Sequence, residues 1–373
     1  MTTLVLLGGG QDFYRIGERA WRMHIETVVV DQIRPDGWAH HWLEASCYDI
    51  QETVSALQSW CAKNKSPDGV LCAGTDAPHV MAAVAKNWGL SGISEATAEL
   101  SRNKLLQYER LQSAGLTVPK TLIAEVADRY GMRGVVFKPA LSRGSRGVQR
   151  YAANDLIPVT AVDAAARHGG PALIQEWIEG AQISSESLVQ DGKILWTSFV
   201  DRNYSRLEEF KPHVIEDGCD APSSVPVYYE NDWQYQAEDQ LQRAAEAIGM
   251  RSGILKGDLV WDGRLLWVIE VATRLSGGGF CSEITPEVWG VDFVGMAIRL
   301  ALGDYIWPGE IRPCLRRHVC QRFYFPKRPT SHPERGPYAL GRGSTSEEAL
   351  ESAQKRLRIM IEDIEKSREH ARN

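Results

Sequence analysis

The sequence predicts an N-terminal α/β domain built on an open parallel sheet, followed by a larger region of mixed α/β and α+β character. Over about the first 92 residues, short apolar runs that end in glycine or an acid alternate with segments of helical spacing. This alternation is typical of doubly wound parallel sheets. From Gly134 onwards, β-rich runs separated by Gly and Asp turns follow one another, which indicates a second region with a different architecture.

The N-terminal domain is predicted from five segments in order. Strands are expected at "TLVLLGG", "TVVVDQ" and "DGVLCAG", and helices at "QDFYRIGERAWRM" and "DIQETVSALQSWCAKN". We expect this domain to extend from Met1 to about Gly92.

The second region begins with one predicted helical segment, "SEATAELSRNKLLQYERLQSAG", which closes at Gly115. Strands are expected at "GVVFKPA", "GVQRYA", "ALIQEWI", "ISSESLVQ", "KILWTSFV" and "HVCQRFYFP", and helices at "DWQYQAEDQLQRAAEAIG" and "DFVGMAIRLALG". The strands "GILKGDLVW" and "RLLWVIEVA" are predicted to be joined by the two-residue turn Asp262-Gly263. The last helix places Leu350, Leu357, Ile361 and Ile364 on one face.

Composition excludes several classes of protein. The formal net charge of -6 argues against a general nucleic-acid-binding surface. The seven cysteines form no CxxC pair, which favours reduced thiols in the cytoplasm. The first residues, "TTLVLLGGG", are too short for a membrane span and lack the basic start of a signal peptide, so we expect no membrane partner.

The glycines at the start resemble part of a dinucleotide-binding fingerprint. Gly8 and Gly10 precede a predicted helix, and Asp31 ends the second strand. The third glycine of G-x-G-x-x-G is replaced by Phe13, which prevents the close helix approach that the motif requires. We therefore expect a tight strand-to-helix turn, with a substrate anion at the helix N-terminus as one further use.

A second cluster is "VVFKPALSRGSRGVQRY". Lys138 ends a β-run, and the loop from Arg143 to Gly147 carries two glycines. A lysine ammonium can bind phosphate oxygens, and glycine-rich backbone can close over them. The alternative is a solvated hairpin whose lysine extends to the rim.

A third cluster is "LIQEWIEGAQISSE". The strand that ends at Glu176, Trp177 and Ile178 can present backbone groups to a purine edge, with Glu176 accepting from its amino group. An ordinary strand followed by an acidic turn is the alternative.

The fourth cluster is the predicted hairpin "GDLVWDGRLLWVIEVATRLSGGG". Asp258 and Glu270 lie on its two strands and can share a cation on one face. Two carboxylates with room for water and phosphate oxygens suit Mg²⁺, and Arg274 would neutralise a transferred phosphoryl group. The alternative is a surface hairpin in which Arg274 pairs with Glu270.

The order of these clusters resembles the ATP-grasp superfamily, and more closely its carboxylate–amine (amino-acid and peptide) ligases. The resemblance covers roughly residues 1–303 and includes "SRNK" followed by "LLQYERLQSAGLTVPKT". It implies a pre-ATP-grasp domain at 1–92 and a two-lobed ATP-grasp fold. The linker helices and first lobe would occupy 93–184, the second lobe with the metal site 185–310, and the strand and helix that complete it 311–373.

The resemblance also implies the site residues. ATP would be bound by Lys104, Lys138, Ser145, Glu176, Trp177, Ile178, Gln182 and Glu186. Asp258 and Glu270 would bind Mg²⁺, with Mn²⁺ as an alternative, and Arg274 would contact the acyl phosphate as the catalytic residue. His213, Glu216, Ser276 and Gly277 are candidates for contact with the substrate, although His213 and Glu216 also fit an ordinary loop.

Two positions depart from the family pattern. Ala272 stands where the family has a metal-binding asparagine, which leaves water, phosphate oxygens or Thr273 to complete the coordination. Gln182 stands where the family often has a ribose-binding glutamate, and its carbonyl can still accept a hydrogen bond.

The implied activity is ATP-dependent formation of an amide from a carboxylate and an amine through an acyl phosphate, with release of ADP and phosphate. One alternative is activation of bicarbonate or formate, as in purine-biosynthesis-like or carbamoyl-phosphate-like enzymes. Another is a nucleotide-binding protein with impaired catalysis. The expected partners are small-molecule carboxylates and amines, and a homodimer is compatible with the family. The sequence does not identify the acid or the amine, because substrate loops vary freely on a shared scaffold.

Overall fold

The N-terminal region folds as an open parallel sheet, as predicted. The computed structural model describes residues 1–225, 232–326 and 335–370. The elements of this region are β1 (Thr2–Leu7), α1 (Gln11–Arg22), β2 (Ile25–Val30), β3 (His41–Leu43), α2 (Ile50–Cys61), β4 (Gly69–Cys72) and α3 (Pro78–Trp88). The strands lie in the order β3-β2-β1-β4, and all pairs are parallel.

The turn after β1 has the predicted tight form. Gly8 adopts a φ of +119°, and a Cβ there would lie 2.4 Å from Thr75 Oγ1 and 2.6 Å from the Phe13 ring. Phe13 is itself buried in the core between the sheet and α1. The amide of Gly9 donates to Asp31 Oδ2 at 2.6 Å, so the carboxylate that ends β2 fixes this turn.

Two short helices, α4 (Glu95–Arg102) and α5 (Lys104–Ser113), replace the single helix predicted from residue 94 to Gly115. Asn103 interrupts the helical path with an extended backbone (φ -99°, ψ 101°), and its side chain caps α5 by accepting from Leu106 N. The amide of Lys104 donates to Ala140 O at 3.0 Å. The break therefore ties the start of α5 to the neighbouring sheet.

A four-stranded antiparallel sheet follows α5. Its elements are β5 (Thr121–Ile123), β6 (Val135–Pro139), β7 (Gln149–Tyr151), α6 (Ala161–Ala166) and β8 (Ala172–Glu176), with the strands in the order β5-β8-β6-β7. One face packs against α6 around Phe137, Ala165 and Ile174. The ends of β6 and β8 leave Lys138 and Glu176 at the edge of a cleft.

The rest of the chain forms a seven-stranded antiparallel sheet in the order β13-β12-β9-β10-β11-β14-β15. The elements are β9 (Ala181–Gln190), β10 (Lys193–Asn203), β11 (Gly218–Ala221), α7 (Trp233–Ala247), β12 (Gly253–Trp261), β13 (Leu266–Ala272), α8 (Thr285–Trp289), α9 (Phe293–Ala301), β14 (His318–Phe323), β15 (Tyr338–Gly343) and α10 (Ser346–His370). Helix α7 covers one face through Ala237, Leu241 and Ala244.

The hairpin of β12 and β13 differs from the prediction in its connection. Trp261 pairs with Leu266, so residues 262–265 form a four-residue loop instead of a two-residue turn. The Asp262 carboxylate accepts from the amides of Arg264 and Leu265 at 2.8 and 2.7 Å, which stabilises the longer loop. The Asp262-Gly263 pair predicted the position of the turn correctly, but the loop is two residues longer than predicted.

The C-terminal helix α10 packs against β14 and β15 chiefly through Ala349 and Ala353, which are buried against Cys320. Leu350, Leu357, Ile361 and Ile364, predicted to share a face, are all partly buried. All seven cysteines have free thiols. Within the described ranges, no helix combines the length and apolar character needed to cross a membrane. The division at residues 92, 184 and 310 stays a prediction.

Candidate functional site

A single cavity of about 920 Å³ brings together residues of both antiparallel sheets and of loops in the N-terminal region. Thirteen of the fifteen residues proposed from the sequence line it: Lys104, Lys138, Ser145, Glu176, Trp177, Ile178, Gln182, Glu216, Asp258, Glu270, Arg274, Ser276 and Gly277. Its volume lies at the upper end of the range usual for small-molecule sites. The structure gives their positions, and their roles stay predictions.

Two buried lysines lie at one end of the cavity. Lys138 Nζ donates to Gln175 Oε1 at 2.9 Å and lies 4.8 Å above the Tyr108 ring. Burial lowers the pKa of Lys138 to about 8, with Lys104 adding to the effect and Glu270 opposing it. Lys104 Nζ donates to Ser142 O at 2.7 Å and lies 3.4 Å from Glu270 Oε1. Both ammonium groups are therefore held in place before any ligand binds.

The loop between β6 and β7 extends over these lysines. Gly144, Ser145 and Gly147 have φ values of 60°, 59° and 76°, and for Ser145 this conformation is strained. Arg143 lies 3.7 Å from the centre of the Tyr48 ring, which belongs to the N-terminal region. The loop thus contacts the N-terminal region across the cavity mouth.

The end of β8 and the residues after it form one wall. The amides of Glu176 and Trp177 donate to Lys120 O and Gly134 O, both at 2.9 Å. In the described part of the chain, no residue accepts a hydrogen bond from the Ile178 amide. Arg150 lies 4.6 Å over the Trp177 ring. This wall therefore offers a backbone donor at Ile178 beside a fixed aromatic side chain.

Asp258 and Glu270 lie directly opposite each other on β12 and β13. This register depends on a bulge, because Leu259 pairs with Val268 and Ile269 is left as the additional residue. Tyr108 donates to the carbonyl of Ile269 at 2.6 Å, so α5 holds the bulge. Directly opposed residues of antiparallel strands project to the same face, which places both carboxylates in the cavity.

Two cations that the sequence analysis missed surround Asp258. Its Oδ1 accepts from Lys256 Nζ at 2.6 Å and lies 3.0 Å from Arg202 Nη1. Burial alone would raise the pKa of Asp258, but Arg202 and Lys256 outweigh it and hold that pKa well below its usual range. Strand alternation could have identified Lys256, which lies two residues before Asp258. Arg202 comes from β10, and no local pattern connects it to the hairpin.

The two carboxylates fit a magnesium site of the kind completed by a nucleotide. Mg²⁺ is usually held by one or two carboxylates, with waters and phosphate oxygens filling the other positions. Within the described ranges, no group of three or more His, Cys, Asp or Glu side chains is placed to bind a metal. Thr273, suggested by the sequence as an additional ligand, is buried, and its hydroxyl donates to Ser101 Oγ at 3.0 Å. That suggestion is therefore wrong.

Arg274 is held by the N-terminal region. Its Nε donates to Asp76 Oδ1 at 3.3 Å, although Glu270 was the partner expected in the surface-hairpin alternative. The next residue, Leu275, exchanges backbone hydrogen bonds with Cys72 O and Gly74 N at 3.2 and 3.0 Å. Burial would lower the pKa of Arg274, but Asp76 outweighs it and raises that pKa. The edge of β4 thus fixes this guanidinium in the cavity.

Two proposed residues do not line the cavity. Glu186 is fully buried behind it, where its Oε1 accepts from the amide of Ser276. Burial raises the pKa of Glu186 to about 7. His213 pairs through its backbone with Gln149, next to β7. Because neither residue lines the cavity, direct contact of Glu186 or His213 with a ligand stays a prediction, and in the structure Glu186 positions the loop of Ser276 and Gly277.

The far side of the cavity has a mixed lining. Apolar and aromatic side chains (Val200, Cys219, Phe280, Phe323 and Tyr338) alternate there with polar ones (Tyr204, Gln321 and Arg335). Glu216 lies at its border, where its Oε2 accepts from Arg202 Nη2 at 3.0 Å. The cavity therefore joins a highly charged end to a chamber lined in part by aromatic side chains.

Comparison with known proteins agrees with this arrangement. The family model described as an ATP-grasp domain matches residues 101–278. This range contains α5, the whole four-stranded sheet and the hairpin of β12 and β13. A search of curated proteins gave no significant match.

Three solved structures illustrate the shared fold. An L-amino acid ligase from Bacillus licheniformis superposes with a TM-score of 0.76 at 18% identity, covering 95% of this chain and 96% of that one. A carboxyaminoimidazole ribonucleotide synthase from Aspergillus clavatus, complexed with ATP, gives 0.69 at 16% identity, with 87% and 82% covered. A biotin carboxylase from Campylobacter jejuni gives 0.65 at 16% identity, with 86% and 75% covered. At such identities the likeness concerns the fold alone.

Proposed function

Because residues 101–278 are an ATP-grasp domain, we propose that the chain is an ATP-dependent carboxylate–amine ligase that forms an amide through an acyl phosphate. One observation carries the proposal. A single cavity joins two buried lysines, two opposed carboxylates and Arg274 to a chamber lined in part by the aromatic side chains of Phe280, Phe323 and Tyr338.

ATP would lie at the charged end of the cavity, between the four-stranded sheet and the hairpin of β12 and β13. Lys104 and Lys138 would bind phosphate oxygens, with the loop around Ser145 closing over them. The Ile178 amide would donate to the adenine edge, and Gln182 would accept from the ribose. The Aspergillus clavatus enzyme of similar fold is complexed with ATP, which supports ATP as the nucleotide.

Asp258 and Glu270 would hold Mg²⁺, with Mn²⁺ as a substitute. When bound, the metal neutralises phosphate charge in the transition state. The chain's own contribution is to hold Asp258 ionised beside Arg202 and Lys256, because these cations lower its pKa, and to hold Arg274 in a fixed position.

The proposed reaction has two steps. A carboxylate oxygen attacks the γ-phosphorus of ATP, the bond to the β-phosphate oxygen breaks, and ADP leaves. The amine nitrogen then attacks the acyl carbon, and phosphate leaves with the former carboxylate oxygen while the amine proton passes to solvent. Arg274 stabilises the negative charge that develops on the acyl phosphate, and alignment supplies much of the remaining rate enhancement.

The aromatic side chains of this chamber favour an organic acid over bicarbonate or formate. Phe280, Phe323 and Tyr338 offer contact area that a three- or four-atom anion cannot use. The similarity to the L-amino acid ligase over nearly the full length of both chains supports the same choice. A carboxylating enzyme remains the second candidate, since the biotin carboxylase shares the fold.

The test is ADP release with pooled carboxylates and pooled amines, supplied separately and together with ATP and Mg²⁺. The proposal predicts release that requires both pools. Release that depends on bicarbonate or formate would instead establish the second candidate. No release with any pool, in a chain that binds ATP, would indicate a nucleotide-binding protein without turnover.

A further inference from the structure

A third lysine, Lys256 on β12, lines the cavity and lies opposite the buried Glu186 of β9. Lys256 lies on β12 two residues before Asp258, so both side chains project from the same face of the strand. Its cross-strand partner on β13 is Ala272. Ala272 presents only a methyl group there, and both residues line the cavity.

The ammonium of Lys256 forms a close ion pair with Asp258, at 2.6 Å from Oδ1. The same oxygen lies 3.0 Å from Arg202 Nη1 and accepts from Ser184 Oγ at 3.3 Å. One oxygen of the carboxylate is therefore saturated by two cations and a hydroxyl. A divalent metal at that oxygen would face two positive charges at short range, where repulsion is strong.

We propose that Lys256 is a built-in cation that binds a phosphate oxygen of the nucleotide, so that the site takes one divalent metal ion and not two. The single ion would use Glu270 and the other oxygen of Asp258. This inference rests on the proposed function, because it requires a nucleotide in the cavity.

The other two lysines have different tasks. Lys138 is buried against Gln175 and Tyr108, and Lys104 is held by Ser142 O and Glu270. Lys256 stands beside the opposite carboxylate of the pair, so its ammonium adds positive charge where neither of them reaches. A fixed ammonium is present at any concentration of free metal, and it supplies one positive charge where a second metal ion would supply two.

Ala272 contributes to the same exclusion of a second metal ion. An asparagine there would lie directly opposite Lys256 and compete for its space. Its amide oxygen would also offer a metal ligand. The effects of substituting Ala272 and Lys256 are therefore expected to depend on each other. Substitution of both residues should provide the space and the oxygen ligand that a second ion needs.

The experiment counts bound Mn²⁺ by electron paramagnetic resonance, with the full chain saturated with the β,γ-imido analogue of ATP. The wild-type chain should bind one Mn²⁺. Lys256→Met, which keeps the aliphatic stem, should bind the analogue about 10- to 100-fold more weakly, as expected for the loss of a charged hydrogen bond. Lys193→Met, a change at an exposed lysine on β10, is the matched control and should change neither quantity.

The double variant Lys256→Ala/Ala272→Asn should bind a second Mn²⁺. Two ions in the wild-type chain, or unchanged analogue affinity in Lys256→Met, would overturn the inference and leave the proposed function intact. A double variant that still binds one ion would overturn the claim that Lys256 excludes the second. A wild-type chain that binds no analogue at all would overturn the proposed function, and the inference with it.

Discussion

Asp258 lies directly opposite Glu270 because a one-residue bulge at Ile269 shifts the register of the hairpin. On the loop side of the bulge, Leu259 pairs with Val268, and continuation of that register would place Ile269 opposite Asp258. Since neighbouring residues of a strand project to opposite faces, the register without the bulge would separate the two carboxylates. The geometry of the candidate metal site is therefore a consequence of the bulge.

Removal of the charge on Glu270 should abolish most turnover. Glu270→Gln keeps the size of the side chain but deletes the carboxylate that faces Lys104 at 3.4 Å. We expect kcat/KM for ADP release to fall by about 10²-fold or more, as for other groups that stabilise charge in a transition state. Glu246→Gln, at an exposed position on α7, is the control. Full activity of Glu270→Gln would remove this residue from the metal site.

The bulge itself should depend on Tyr108. Its hydroxyl donates to Ile269 O at 2.6 Å, and Tyr108→Phe leaves that carbonyl without its buried donor. The free energy of unfolding should fall by about 1–3 kcal/mol, measured by urea denaturation. Nucleotide affinity should fall too, because the lost hydroxyl also accepts a hydrogen bond from Lys138 Nζ at 3.5 Å. Tyr14→Phe, on the exposed side of α1, should alter neither, and equal stability of both variants would contradict this role.

Nucleotide affinity should decrease above pH 8. The pKa of Lys138 is lowered to about 8, chiefly by burial and also by Lys104, while Glu270 and Asp258 oppose the change. Below this pH the lysine is protonated and attracts phosphate, so affinity should be nearly constant. Above it, the free chain must take up a proton to bind, and affinity should fall by up to about tenfold per pH unit.

Calorimetric titration of the β,γ-imido analogue of ATP between pH 6.5 and 9.5 measures this dependence. Lys138→Met should bind weakly at every pH and lose the decrease near pH 8. Lys65→Met, at an exposed lysine after α2, should retain it. The same decrease in Lys138→Met would assign the titration to another group.

Residues 143–147 should become protected from hydrogen exchange when nucleotide binds. This loop carries Gly144 and Gly147 and has few apolar contacts, and Arg143 rests on Tyr48 across the cavity mouth. Exchange with and without the ATP analogue and Mg²⁺ measures the change, with the buried strand β1 as an internal reference. Equal protection in both states would argue against a loop that closes over phosphates.

Much of the site could be predicted from the sequence because its residues lie in four short segments. Lys138, Glu176, Asp258 and Glu270 each end or occupy a strand that the pattern of apolar residues identifies, and the structure places all four around one cavity. The order of the segments also predicted the fold. These features are local in sequence, and the backbone carries them to the same place.

The features that were missed depend on distant contacts. Arg202 reaches Asp258 from β10, and Asp76 reaches Arg274 from the end of β4, so no spacing in the sequence connects the partners. The break at Asn103 arises because Lys104 bonds to the sheet at Ala140. Burial of Glu186 beneath the loop of Ser276 likewise follows from tertiary packing.

The central claim is that a carboxylate is activated by phosphoryl transfer before an amine displaces phosphate. Transfer of oxygen-18 tests it most directly, once the pooled assay has identified a carboxylate and an amine. With both carboxylate oxygens labelled, the account predicts that one oxygen-18 appears in the released phosphate and the other remains in the amide, detected by mass spectrometry. Amide formation with ADP release but with unlabelled phosphate would contradict the account.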